Sequence, residues 1–348
     1  MKFLRTIASI LAACALAAAL GVFGMGTASA EGGEMGEAET CLQVTENENN
    51  RFTLTVSHLN LTGGHLAGVR FAVWSAEGGQ DDLAWYIARQ TDDGSWSASG
   101  TMAEHDYASG AYCVHIYSYH DSEEPVLEWD AMVELEGSRP DWSSQIDPSR
   151  PMVALTFDDG PYSPVTLRIL DALEAVNGRA TFFVVGNRVA GCASVVRRAN
   201  AMGCQIGNHT WDHTPLTNLP AAEIVRELEQ CAGAVDEVIG RPPQMVRPVG
   251  GMVNSTVYAA VEEPMILWSI DTEDWCTQNA EKTYDAVIGH VRDGDIVLMH
   301  DLYPSTADAA EKIIPELVRQ GYQLVTVEEL AIYRGYTPGG HTTYSQFR

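Results

Sequence analysis

From residue 152 onward the chain alternates apolar, strand-like runs with helical stretches, and few architectures accommodate that order. The runs fall at 152–157, 180–185, 204–207, 244–247, 266–271, 296–300 and 323–327, with helical stretches near 164–176, 192–202, 220–239, 254–262, 281–292 and 307–320. Strands separated by helices at this spacing predict a parallel sheet, because each helix carries the chain back to the start of the next strand. Seven such strands predict a closed or nearly closed β/α barrel. In a barrel of this kind the reactive side chains sit at the C-terminal ends of the strands. Asp158 and Asp159 follow the first strand, His209 follows the third and Arg247 ends the fourth; Asp271 and Asp274 end or follow the fifth, and His300 ends the sixth. All are therefore expected on one face.

The chemistry of that face suggests a metal. His209 and His213, four residues apart, can address one centre if the backbone there makes a helical turn. One carboxylate completes a facial set with positions left open for water and substrate. Two imidazoles and a carboxylate suit Zn²⁺, and also Co²⁺, Ni²⁺ or Fe²⁺. A serine hydrolase is disfavoured because no G-x-S-x-G occurs.

Five stretches carry a resemblance: Thr156-Phe157-Asp158-Asp159-Gly160, His209-Thr210-Trp211-Asp212-His213, Arg247-Pro248-Val249-Gly250-Gly251, Asp271-Thr272-Glu273-Asp274-Trp275 and Leu298-Met299-His300. Together, in this order, they resemble the polysaccharide deacetylase (NodB-homology) family, carbohydrate esterase family four, over about residues 150–334. The resemblance implies an α/β fold, a distorted (β/α)7 barrel, hydrolysing N-acetyl groups with a divalent metal, zinc ahead of Co²⁺, Ni²⁺ or Fe²⁺. It implies Asp159, His209 and His213 as ligands, Asp158 as general base and His300 as general acid. Asp274 looks like the carboxylate that holds and tunes the acid, and Arg247 is expected to pair with Asp158. Trp275 and Leu298 resemble the residues that wall the pocket for the acetyl methyl. One departure is that members usually carry Pro-Tyr where this chain has Val249-Gly250. The Gly250 N–H can still donate to an oxyanion, but the aromatic wall is lost and the loop gains freedom.

The N-terminal half reads differently. Short alternating runs at 52–56, 68–74, 84–88 and 112–117, with Asp93-Gly94 as a hairpin signal, predict a small all-β sandwich over 41–136. The segments Val73-Trp74-Ser75, Gly79-Gln80-Asp81-Asp82-Leu83, Trp85-Tyr86 and Val114-His115-Ile116-Tyr117 look like the GBS Bsp-like repeat of exported Gram-positive proteins. That resemblance implies an accessory wall or glycan module. Trp74, Trp85 and Tyr86 are expected in its core, and its histidines, without ligand spacing, as fold or surface residues. Residues 137–150, with Pro140 and Pro148, read as a linker between two cores, 151–334 as the deacetylase domain and 335–348 as a C-terminal tail.

Lys2 and Arg5, the apolar run that follows and Ala28-Ser29-Ala30 read as a signal peptide over 1–30, ahead of an acidic, Gly-rich leader. A retained anchor and lipidation at Cys14 are the alternatives. Loss of Lys2 and Arg5 takes the formal net charge from −26 to −28, which argues against nucleic acid or an anionic membrane as partner. Six cysteines remain, an even number in an exported chain, so disulfides are expected. Cys41–Cys113 is the natural N-terminal pair. In the barrel Cys204–Cys231 is the better candidate, Cys192–Cys276 forms only if the loops reach, and free thiols are the alternative. The reading is a secreted, wall-associated enzyme acting on N-acetylglucosamine residues of peptidoglycan. Chitin, poly-N-acetylglucosamine, acetylxylan, or an inactive glycan-binding wall module are the competing readings; the oligomeric state is open.

Overall fold

Alternation of buried and solvent-facing side chains closes the N-terminal residues into two packed sheets. The computed structural model describes residues 40–47, 50–61, 66–77, 79–120, 124–140 and 146–348, so the expected signal, almost all of the leader and part of the linker lie outside the described residues. One sheet has the order β1 (Cys41–Asn47), β2 (Arg51–Ser57), β6 (Trp96–Thr101), β5 (Arg89–Gln90). The other has the order β4 (Ala84–Ile87), β3 (Leu66–Ser75), β7 (Gly110–His120), β8 (Val126–Leu135). Phe52, Leu54 and Val56 of β2 alternate inward against Phe71 and Val73 of β3 and Val114 and Ile116 of β7. The hairpin expected at Asp93-Gly94 joins β5 to β6, with Gly94 at φ 85°. Trp74 and Tyr86 are buried as expected, whereas Trp85 is 46% exposed on the outer face of its sheet.

The second half is the expected barrel, with local departures. β9 (Met152–Asp158) is buried along its whole length and sits between β10 (Thr181–Val184) and β14 (Asp295–His300); β11 (Gln205–Asn208) lies beyond β10 and β13 (Ile270–Asp271) beyond β14, all parallel. The expected fourth strand shrinks to a bridge at Val246, which links Asn208 to Met265 in β12 (Met265–Ile266). The expected fifth strand splits into β12 and β13. The cause is Arg247, whose guanidinium takes the carbonyls of Ile266 and Leu267 that an unbroken ladder would use. The last expected strand stops at β15 (Gln323–Leu324) because Thr326 and Glu329 form a capping box that starts a helix at Val327. Residues expected as a tail are built in: β16 (Thr343–Tyr344) pairs with β12, and Phe347 is fully buried.

The sandwich packs on the barrel. The turn Met102–His105, with Met102 and Ala103 buried, lies against the helix Ala193–Ala201. Arg51 donates to Glu174 at 2.6 Å and Thr101 to Glu174 at 2.9 Å, while the buried Arg198 reaches Asp171 at 2.7 Å and Glu174 at 3.0 Å. Residues from Thr40 to the end accordingly form one compact unit.

The disulfides expected from cysteine parity are not formed. Cys41, Cys192, Cys204, Cys231 and Cys276 are free thiols. The Cys204–Cys231 expectation failed on geometry. Cys204 precedes β11 at the barrel's lower end, whereas Cys231 lies midway along the helix Ala221–Ile239, its Sγ 3.5 Å from the Val184 carbonyl at the upper end of β10.

Candidate metal centre and active site

Three side chains converge where β9 and β11 end. Asp159 follows β9 in a left-handed conformation, φ 73°, which turns its carboxylate toward the loop after β11. His209 begins that loop. The loop is not the helical turn expected from the four-residue spacing: it bends sharply, with left-handed Thr210 and His213, both at φ 68°. The imidazoles still meet, their centroids 5.2 Å apart, because the two reversals do what a helical turn would have done.

The arrangement fits a divalent cation. Asp159 Oδ1 lies 2.9 Å from His213 Nε2 and 3.3 Å from His209 Nε2, and the three donors fall within 4.8 Å of one another. That oxygen is buried yet accepts no hydrogen bond of acceptable geometry, so the contacts are close without being directed at each other. His209 Nδ1 donates to the Arg247 carbonyl at 2.7 Å, which leaves its Nε2 lone pair facing Asp159, the tautomer a ligand needs. Burial works to raise the Asp159 pKa, but the closeness of His209 and His213 outweighs it and holds the carboxyl well below its usual range.

Asp158, buried, faces the same centre, its Oδ2 3.8 Å from His209 Nε2. Its Oδ1 accepts from Arg247 Nη1 at 2.7 Å. Arg247 is 0% exposed and fully engaged: Nε to the Ile266 carbonyl, Nη1 also to Thr156 Oγ1 at 2.6 Å, Nη2 to the Leu267 carbonyl. Phe183 lies against its guanidinium at 4.1 Å, and Trp268 packs further off at 5.7 Å. Burial lowers the Arg247 pKa, against the opposing charge of Asp158.

His300 ends β14 directly opposite Asp158 in the strand register. Its Nδ1 donates to Asp274 Oδ1 at 2.7 Å and its backbone N–H to Oδ2 at 2.8 Å; Thr306 adds a third bond to Oδ2 at 2.6 Å. Burial disfavours the imidazolium, but Asp274, with Asp158 and Asp159 behind it, raises the pKa to about 9. Asp271, the other acid of that stretch, is exposed and caps its own loop by accepting from the Glu273 N–H, so it stands apart from the site. Trp275 is 51% exposed and Leu298 is buried beneath the rim. Gly250 lies in the turn Val249–Gly251 at φ 63°, a conformation a tyrosine would adopt only under strain.

Two groups escaped the motif reading. Thr306 holds Asp274 from the start of the helix Pro304–Arg319, and nothing in its sequence context marks it. Arg188 donates to the Asp159 carbonyl at 2.9 Å from the short helix after β10. The rule that strand ends carry function could have found it, since it lies just past the second strand.

A parallel barrel with a two-histidine, one-aspartate centre flanked by a buried carboxylate and a charged histidine defines a class of metal-assisted hydrolases. Comparison narrows the class. The polysaccharide deacetylase family model matches residues 145–264 and the GBS Bsp-like repeat model residues 42–128. The chain is 40% identical over 185 residues to the peptidoglycan-N-acetylmuramic acid deacetylase PdaC of Bacillus subtilis, covering 53% of this chain and 40% of that one. It is 35% identical over 191 residues to a peptidoglycan-N-acetylglucosamine deacetylase of Bacillus cereus, covering 53% of this chain and 89% of that one. Among solved structures, a family 4 acetyl xylan esterase of Clostridium thermocellum in complex with cobalt aligns with TM-score 0.54 and 35% identity, over 56% of this chain and 98% of that one. The chain belongs to the polysaccharide deacetylase family. It spans well under half the length of the Bacillus subtilis relative.

Proposed function

We propose that this protein is a metal-dependent deacetylase of N-acetylated wall glycan, exported by its N-terminal signal and acting on peptidoglycan. The observation that carries the reading is the presence of two separately held groups beside one three-donor centre: Asp158 held by Arg247, and His300 held by Asp274. The names of the two Bacillus relatives support the substrate class, one being a muramic acid and the other a glucosamine deacetylase. Secretion rests on the signal-like N-terminus, and wall association on the similarity of residues 42–128 to the GBS Bsp-like repeat. Among the described residues no helix is long and apolar enough to cross a membrane.

Asp159, His209 and His213 would hold the cation, with zinc the metal the donor set suits best and cobalt, nickel or iron(II) able to replace it. When bound, that ion supplies Lewis-acid polarisation of the acetyl carbonyl and a more acidic water. Asp158 takes the proton from the attacking water, and Arg247 keeps its carboxylate aimed. As the carbon–nitrogen bond breaks, His300 gives its proton to the departing amine, leaving acetate and a free amino sugar. Asp274 keeps His300 protonated near neutral pH and fixes its orientation. Gly250 offers a backbone N–H to the oxyanion, while Leu298 and Trp275 line the space for the acetyl methyl.

Acetate release is to be measured from peptidoglycan, chitopentaose and acetylxylan, with EDTA-treated and zinc-reloaded protein. Metal-dependent release from peptidoglycan is expected. Release from acetylxylan alone would move the substrate to an O-acetylated polymer, and no release from any of them would favour an inactive binding module.

A further inference from the structure

Arg188 is exposed at the rim of the metal donors, in a chain whose acids outnumber its bases 47 to 21. Most of the other arginines near carboxylates are paired: Arg51, Arg168, Arg198, Arg319 and Arg334 all form ion pairs, and Arg247 is buried against Asp158. Arg188 has no carboxylate partner among the described residues. Its single contact is one Nη1 bond to the main-chain carbonyl of Asp159, which leaves the rest of the guanidinium fork directed to solvent. The guanidinium therefore stands against the main chain of one donor of the triad, with most of its fork uncommitted.

A free guanidinium suits a carboxylate, which it binds through two parallel hydrogen bonds. The two N-acetylated sugars of a wall glycan differ at the ring carbon next to the acetamido group, where one of them carries a lactyl ether ending in a carboxyl group. Adjacent ring substituents stay within a few ångströms of each other, so an acetamido group placed over the donor triad brings its neighbour to the rim. We propose that Arg188 is a specificity-determining residue that selects substrates bearing a carboxylate beside the N-acetyl group, the muramic acid type, over neutral N-acetylglucosamine. This rests on the deacetylase reading above. The carboxylate has two sources, the lactyl group itself and the peptide attached to it.

The test compares wild type, R188Q and R188K, zinc-loaded, on three oligosaccharides: a peptide-free muramic-acid-containing tetrasaccharide, the same with its lactyl carboxyl amidated by a short acidic peptide, and chitotetraose. R188Q is expected to lower kcat/KM on the carboxylate substrate about tenfold more than on chitotetraose, the scale of a lost charge-assisted pair. R188K should retain part of the preference, and high salt should erode it in wild type. A selective loss on the peptide-bearing substrate alone assigns the contact to the peptide. Equal losses on all three would show that Arg188 only props the Asp159 carbonyl, and no loss anywhere would remove it from the site; either overturns the proposal. Calorimetric binding of the peptide-free tetrasaccharide to wild type and R188Q is read in parallel. If no substrate releases acetate, the deacetylase reading fails, while weaker binding by R188Q still supports the arginine and equal binding still overturns it.

Discussion

Replacing Arg247 with methionine should be the most damaging single change in the site, and the structure sets its scale. The methionine fills comparable space against Phe183 but donates nothing. Four hydrogen bonds disappear, to Ile266 O, Leu267 O, Thr156 Oγ1 and Asp158 Oδ1, and Asp158 stays buried without its counter-ion. Breaking a buried ion pair by removing one partner costs about 3–5 kcal/mol, because the remaining charge is uncompensated. Against a folding free energy of about 5–15 kcal/mol this is a large fraction. In urea, with a slope of about 3 kcal/mol per molar, the midpoint should fall by about 1–1.7 M at unchanged slope. The measurement is made on metal-free protein, so that cation binding does not add to the native state. Combining the change with Asp158→Asn removes the stranded charge, and the two losses should then be non-additive by about 2 kcal/mol. A loss under about 1 kcal/mol for R247M would refute the view that the ion pair holds the site together. Full additivity would show that the carbonyl bonds alone matter.

Asp158→Asn should keep its metal by elemental analysis yet lose activity by about 10² or more, the scale of a missing general base; near wild-type turnover would remove it from that role. His209→Ala and His213→Ala should lose both bound metal and acetate release, since two remaining donors hold a divalent ion poorly. His300 has a folded pKa raised from its ordinary value to about 9, so its contribution to stability is complete below about 6.5 and vanishes as pH rises through 9. Proton NMR of metal-free protein should find it there, and zinc should move it lower, because a nearby cation disfavours the imidazolium. A barrel cut at residue 146 should fold but be less stable than the full chain by about 2–3 kcal/mol, the scale of exposing the surface that Met102 covers. An unchanged denaturation midpoint would show that the sandwich docks idly.

Much of the barrel was legible because its strands are buried on both faces and so read as continuous apolar runs; β9, Met-Val-Ala-Leu-Thr-Phe, is the plainest. The site was legible for a related reason: the barrel rule sends strand ends to one face, and Asp158, His209, Arg247 and His300 all stand at strand ends. What could not be read depended on groups distant in sequence. The break between β12 and β13 follows from Arg247 capturing carbonyls some twenty residues away, which no local propensity encodes. His209 and His213 meet through two left-handed residues rather than a helical turn, so the rings come together by a route that spacing did not indicate. Cysteine parity misled because it counts thiols without knowing which end of the barrel each occupies.

The placement of Thr343-Tyr344 and Phe347 has a consequence in time. Among the described residues β12 is bridged on one side to Val246 and takes a partner strand on the other from Thr343-Tyr344, some eighty residues downstream, and Phe347 fills the core beneath β12 and β14 together with Ile266 and Ile296. A chain that has collapsed as far as the helix Val327–Tyr333 therefore still carries an open edge at Met265-Ile266 and an unfilled apolar socket. Such an intermediate would be the species most open to proteases and to pairing with a second chain, and it persists until Thr343-Tyr344 pairs with β12.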